Sequence, residues 1–236
     1  MSNYLTFKRG FKDGIPIALG YLSVSFAFGM LVISKGFPLW SPITISATNL
    51  TGTGQFVGAE LISKSAGFAE IACSLLIINL RYVLMSLSLS QKLSPDITLF
   101  QRCVIAFGNT DEIYGVSMQQ RGLLTYRYMC GIIFCSYLGW VGGTVIGALA
   151  SDILPAFILS ALGIALYAMF LAIIIPPART SKPILAIILL ATAISCVFKY
   201  TPSLKGISSG WVIIIAGTVS SGILAFISPV KEDEKQ

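Results

Sequence analysis

Three ionisable side chains, Arg81 and the adjacent pair Asp111 and Glu112, lie within apolar stretches of a chain whose other charges fall almost entirely in its connections. On the mildest insertion scales a charge at bilayer depth costs about 2.5–3.5 kcal/mol, so it normally faces a protein interior or a water-filled cavity and serves a pathway. The planar fork of Arg81 can hold a carboxylate through two parallel hydrogen bonds. That carboxylate is either Asp111 or Glu112, giving a structural ion pair, or it belongs to a ligand; snorkelling of Arg81 to a headgroup is the third reading. Asp111 and Glu112 project about 100° apart on a helix, so one can pair with Arg81 while the other faces a cavity and holds an amine or a transported proton. The alternative places both acids on the surface of an amphipathic extramembrane helix.

The segment Thr48-Asn49-Leu-Thr51-Gly52-Thr53-Gly54-Gln55-Phe56 is unusually polar for the apolar stretch that contains it. Two glycines among hydroxyl and amide side chains weaken a helix, and non-helical backbone survives at membrane depth only where protein or a water cavity supports it. A broken helix there would aim free N–H groups of Gly52 and Gly54 at a carboxylate, with Gln55 or Asn49 adding a hydrogen bond. The competing reading is an unbroken helix that uses Gly and Thr for close packing. Asn79 and Thr110, which flank Arg81 and Asp111, complete the polar set.

These residues need a scaffold that crosses a membrane. Hydrophobic residues make up 55% of the 236 and charged residues 11%, with a mean hydropathy of +0.83. Such a chain cannot fold as a soluble globule without exposing large apolar patches. The expected fold is all-α and polytopic, with apolar segments at 15–33, 42–62, 67–89, 128–150, 156–175, 183–198 and 210–227 and an interrupted eighth at 102–119. About 20 residues at 1.5 Å rise cross the hydrocarbon core.

Eight spans with both termini cytoplasmic place ten basic residues inside and five outside, whereas seven give at best nine against six. The positive-inside bias therefore favours eight, with seven as the alternative. The ten prolines are expected at or beyond segment ends, where a missing N–H does least harm. The domain reading is a single transporter domain over 1–236, with a short cytoplasmic segment at 1–14 and a tail at 229–236. The apolar run behind Lys8, Arg9 and Lys12 is long for a signal peptide, so a retained first helix is expected.

The net charge of +6 is scattered through connections and forms no stripe, which argues against nucleic acid. Histidine is absent, and the five cysteines form no CxxC pair, so no metal or cofactor site is expected. Gly139, Gly143, Gly147 and Ser151 recur every four residues and form a ladder against which another backbone can pack, in this chain or in a second subunit.

The pieces Phe26-Ala-Phe-Gly29, Thr51-Gly-Thr-Gly-Gln-Phe56, Asn79-Leu-Arg-Tyr82, Phe107-Gly-Asn-Thr-Asp-Glu112 and Trp140-Val-Gly-Gly-Thr-Val-Ile-Gly147 occur in an order and spacing that resembles the AzlC-type branched-chain amino acid permeases. The resemblance runs over roughly residues 11 to 175. It implies a bacterial inner-membrane exporter of branched-chain amino acids that works with a separately encoded, small AzlD-type membrane subunit of about four spans. Tyr82 stands where many members carry histidine, so a histidine-based proton step is untenable here. The stretch before Gln55 is also richer in threonine than the family pattern.

A neutral amino acid needs a cationic or N–H-rich patch, an acceptor for its ammonium and an apolar wall. Arg81 with the backbone around Gly52 and Gly54, Asp111 or Glu112, and the aliphatic spans can supply all three. An intramembrane aspartyl protease would need two aspartates on facing helices, and Asp111 is the only aspartate in a span. A channel or structural subunit, with Arg81 and Asp111 or Glu112 as a structural ion pair, is the alternative function.

Overall fold

The computed structural model describes residues 5–151, 171, 174–175, 178–179, 181–204 and 206–227. The apolar segment expected at 156–175 lies almost wholly outside them, as does the tail at 229–236. The chain is an all-α, polytopic membrane protein. Among the described residues, five helices are long and apolar enough to cross a bilayer. They are α1 (Phe7–Ser34), α4 (Phe68–Lys92), α7 (Tyr126–Ala150), α8 (Lys182–Tyr200) and α9 (Ser209–Ile227). Four short helices complete the order: α2 (Trp40–Thr48), α3 (Thr53–Ser63), α5 (Leu99–Phe107) and α6 (Asp111–Gln119).

The chain divides into two compact units, Met1–Phe56 with Asn79–Leu166, and Val57–Ile78 with Tyr167–Gln236. The first is built on a parallel pair, α1 and α7. Gly139 faces Ala18, Gly143 faces Leu22 and Gly147 faces Phe26, while Gly10 of α1 faces Tyr128 and Ile132. The small-residue ladder of α7 is thus taken up by α1 of the same chain and does not offer a face to a second subunit. Backbones can come this close because at each point one of the two helices carries a glycine, and dispersion then acts over the whole seam.

Helix α1 starts at Phe7, where the Thr6 side chain accepts the Arg9 N–H at 3.3 Å. Residues 7–14, expected to stand outside the first span, are its opening turns. Pro16, expected at a segment end, consequently lies within the helix. The early start follows from packing: Gly10 and Gly14 seat on α7, and Asp13 accepts from Arg9 Nε at 3.2 Å and from the Tyr128 hydroxyl at 3.0 Å.

Two segments counted as crossings, 42–62, with a break as one of its two readings, and the interrupted 102–119, are helical hairpins. From 102–119 the chain forms most of α5 and all of α6, broken at Gly108-Asn109-Thr110. α5 begins behind Leu93, which bridges Leu124 beside the start of α7, and its Phe107 ring reaches Tyr137, halfway up α7, at 6.1 Å. α6 then runs back alongside α4. Asn109 Nδ2 donates to Ser86 Oγ (3.0 Å), the Tyr114 hydroxyl to Ser88 Oγ (2.9 Å), and Lys92 Nζ to the Met118 carbonyl (2.5 Å). Both limbs therefore open at the end of the unit that holds the N-terminal turns of α1 and α7.

The 42–62 segment behaves likewise from the opposite end. α2 descends from the C-terminal end of α1 until the Ala47 carbonyl accepts from the Tyr137 hydroxyl at 2.9 Å. The chain breaks at Asn49 to Gly52, and α3 sets off toward Phe28, whose ring Phe56 meets edge-on at 5.2 Å. A run of about 20 apolar residues is long enough for one crossing or for two half-crossings, so hydropathy alone does not separate them.

The hairpin has a direct test. In a cysteine-free background, Asp96→Cys and Arg121→Cys are expected to react with a membrane-impermeant maleimide from the same side; labelling from opposite sides would mean that 102–119 crosses.

In the second unit, Glu70 near the start of α4 is buried and accepts the Gly210 N–H at 3.1 Å, with the Ser208 hydroxyl on the same carboxylate oxygen. The carboxylate thereby serves the N-terminus of α9, where the backbone donors lack helical partners and the dipole favours a negative charge.

Candidate functional site

The two hairpin tips lie in the first unit at the mid-length of α1, α4 and α7, and they gather most of the polar residues singled out in the sequence. At the α5–α6 tip, Thr110 caps α6 by accepting the Ile113 N–H at 3.4 Å. Asp111 and Glu112 fill the first turn, where the helix dipole favours acids.

Arg81 of α4 donates through Nη1 to Asp111 and through Nη2 to the Tyr82 hydroxyl at 3.3 Å, and its guanidinium lies 5.0 Å from the Tyr82 ring centre. Pairing with Asp111 is therefore the arrangement that the structure adopts for Arg81. The pair stays open, with the Arg81 side chain 37% exposed and that of Asp111 41%. At this level such exposure requires water or protein on the open side, because lipid would not tolerate it.

Glu112 points elsewhere. The Tyr21 hydroxyl of α1 donates to Glu112 Oε2 and is hydrogen-bonded with Thr110 Oγ1, each at 2.5 Å. No cation pairs with Glu112 among the described residues. It is the acid left uncompensated at this level.

The α2–α3 tip is held by Gln55, which is buried. Gln55 Nε2 donates to the carbonyls of Ile45 (3.1 Å) and Asn49 (2.8 Å), and Oε1 accepts the Trp140 indole N–H at 3.1 Å. Gln55 is thus committed to closing the break and has no donor free for a ligand. Asn49 is used similarly, since its Oδ1 accepts the Thr51 N–H at 3.1 Å and hydroxyl at 3.0 Å.

Gly52 adopts φ +46°, a left-handed conformation that suits glycine, beside the Trp140 ring. The N–H groups of Gly52 and Thr53 have no acceptor among the described residues. A Cβ at Gly54 would lie 2.7 Å from Thr51 Oγ1 and 3.2 Å from the Asn79 amide nitrogen. That close approach brings Asn79 to the same tip, while Asn79 Oδ1 is buried without a partner.

Trp140 and Tyr21 join the two tips, and sequence reasoning missed their roles. Their rings meet edge-on at 5.2 Å, so a continuous path runs from Gln55 through Trp140 and Tyr21 to Glu112. The available signal was the placement of an indole N–H and a phenol at mid-span, because such groups usually find a polar partner when buried. Tyr21 is 7% exposed and Trp140 3%.

Fold and site together define a polytopic α-helical membrane protein with two discontinuous helical hairpins and an ionisable centre between their tips. The family described as AzlC protein matches residues 16–154, and the chain belongs to that family. It is 28% identical to the inner membrane protein YgaZ of Escherichia coli K12 over 229 residues, covering 94% of this chain and 90% of that protein. An uncharacterized membrane protein of Archaeoglobus fulgidus is 33% identical over 184 residues, covering 75% of this chain and 78% of its own. The branched-chain amino acid transport protein AzlC of Bacillus subtilis strain 168 is 24% identical over 149 residues, 62% of this chain and 58% of that one. No solved structure matches the chain.

Proposed function

We propose that the protein is a secondary transporter that exports branched-chain amino acids from the bacterial cytoplasm, driven by protons and assisted by a small AzlD-type membrane subunit. The observation that carries the reading is that Glu112, an acid with no cationic partner among the described residues, follows Asp111, which is paired with Arg81, at the open meeting point of two broken helices. Discontinuous helices at mid-depth are where secondary transporters place substrate and coupling-ion sites.

The ammonium of the amino acid binds Glu112. Its carboxylate meets Arg81, whose five N–H donors exceed the two used by Asp111 and Tyr82. The open N–H groups of Gly52 and Thr53 provide the next anion-friendly surface. The relative named for branched-chain amino acid transport supports the substrate class.

Charge distribution supports a cytoplasmic N-terminus. In the first unit Lys8, Arg9, Lys12, Lys92, Arg102, Arg121 and Arg127 fall at the α1 N-terminal end, and Lys35 falls at the other. The hairpin path of α5–α6 makes this asymmetry sharper than a straight crossing would, because it keeps Lys92 and Arg102 at the basic end.

Efflux of labelled valine, leucine and isoleucine from preloaded cells, with the chain alone and with the small subunit, tests the reading. Saturable efflux with counter-flow is expected, and it should need the partner for full rate. Flux that rises linearly with concentration would point to a channel, and full activity of the chain alone would remove the two-subunit claim.

A further inference from the structure

Resting on that transport reading, we infer that Glu112 is an exchange site, occupied either by a proton or by the ammonium of the substrate and never by both. Two features of the geometry lead there. Asp111, the neighbouring acid, is already paired with Arg81, so its charge is matched. Glu112 accepts from Tyr21 through Oε2 alone, and Oε1 has no partner among the described residues.

The groups that face Glu112 are few. α1 contributes the Tyr21 phenol, α4 contributes Arg81 and Tyr82, and α6 contributes Asp111. α7 contributes an indole that acts through Tyr21 and carries no charge. Arg81 and Asp111 neutralise one another, which leaves one negative charge to be matched and room for a single unit of positive charge. A carboxylate that meets an ammonium must first release its proton.

The exchange balances. When the amino acid arrives, the Glu112 O–H bond breaks and the proton leaves to water; the substrate keeps all three ammonium protons, and the carboxylate holds it by charge-assisted hydrogen bonds. When the amino acid leaves, a proton from the opposite side takes its place. Each cycle moves one zwitterion out and one proton in, so transport carries net charge and responds to membrane potential as well as to the pH difference. Because the two ligands compete for one carboxylate, each weakens the other by the same factor.

Proton release on binding tests this. The chain, purified with its small subunit in nanodiscs, is titrated with valine in weakly buffered solution containing a pH indicator, and valine affinity is measured from pH 5 to 8. Release of one proton per valine is expected, with valine affinity falling as the pH is lowered. Glu112→Gln should bind valine more weakly, release no proton and show no pH dependence. Glu112→Asp, which keeps the charge, should still release one.

Tyr21→Phe removes the donor to the carboxylate. It should change the pH dependence of valine binding while preserving release, a change that a merely structural role for Tyr21 would not produce. Valine binding with no release and flat pH dependence would overturn the exchange site and leave the transport reading standing, as would release that persists in Glu112→Gln. Absence of amino-acid binding throughout the range would overturn the transport reading itself.

Discussion

Arg81→Gln is expected to lower the yield of folded protein and to abolish amino-acid transport, and Asp111→Asn to lower the yield comparably. Each single change strands a charge at the mid-length of the membrane-crossing helices, with no other ion pair nearby among the described residues to absorb it. Removing one partner of a fully buried pair typically costs about 3–5 kcal/mol. This pair is more than a third exposed, so the cost should be nearer 1–3 kcal/mol, which is still a large share of the stability of an ordinary domain.

The informative variant is the double change, Arg81→Gln with Asp111→Asn. Two neutral amides strand no charge, and replacing both members of a pair is often close to neutral for stability. Size-exclusion recovery and thermal unfolding in detergent should therefore return most of the way to the parent. Transport should not return, because Arg81 is also the group that reads the substrate carboxylate in the proposed site. A double variant that transports would confine Arg81 to a structural role. One that folds no better than the singles would show that the pair is not what the singles disturb.

How far the site could be read before the fold was known differs between its two tips. At the first, the run from Thr48 to Phe56 advertised its break, because glycine and hydroxyl residues so close together oppose a helix wherever they fall. The break lies at Asn49 to Gly52, with Gly52 in a left-handed conformation. At the second, the pairing of Arg81 with an acid was legible from charge alone. Which acid, and what the other one does, was not: Asp111 and Glu112 are neighbours in sequence, and only the packing of both α4 and α1 against α6 separates their partners.

Direction was the least legible property. The apolar lengths of 42–62 and 102–119 each match one crossing, and nothing in a hydropathy profile distinguishes a straight path from a fold at mid-depth. The information lies in tertiary contacts: Leu93 beside Leu124, and Phe56 beside Phe28. Gln55 illustrates the same limit on a smaller scale. Its polarity marked a functional place correctly, yet the amide is consumed in closing the break, and the donors left over belong to the backbone of Gly52 and Thr53. Trp140 and Tyr21 were hidden because aromatic residues at mid-span are ordinary; their hydrogen bonds make them part of the site.

Gly139→Leu and Gly143→Leu should prevent assembly of the first unit altogether, whereas Gly142→Leu, in the same helix, should be tolerated. A Cβ built at Gly139 would stand 2.7 Å from the Cα of Ala18, and one at Gly143 would stand 2.9 Å from the Cα of Leu22. Those neighbours are backbone atoms of α1 and cannot swing aside as a side-chain end would. At Gly142 nothing lies within 4 Å.

Overpacking of ordinary cores costs about 1–3 kcal/mol because side chains and backbone can shift. Here the whole of α1 would have to move, and the effect should exceed that range. The consequence reaches the site: α1 carries Tyr21 and α7 carries Trp140, so parting the helices would separate the two residues that join the hairpin tips. Gly139→Ala makes the test graded, since one methyl is the smallest wedge that can be driven into the seam. It should yield less folded protein than Gly142→Ala, measured as monodisperse material recovered at equal expression, and the survivors should transport more slowly. Equal recovery of the two alanine variants would mean that α1 and α7 do not meet along this face.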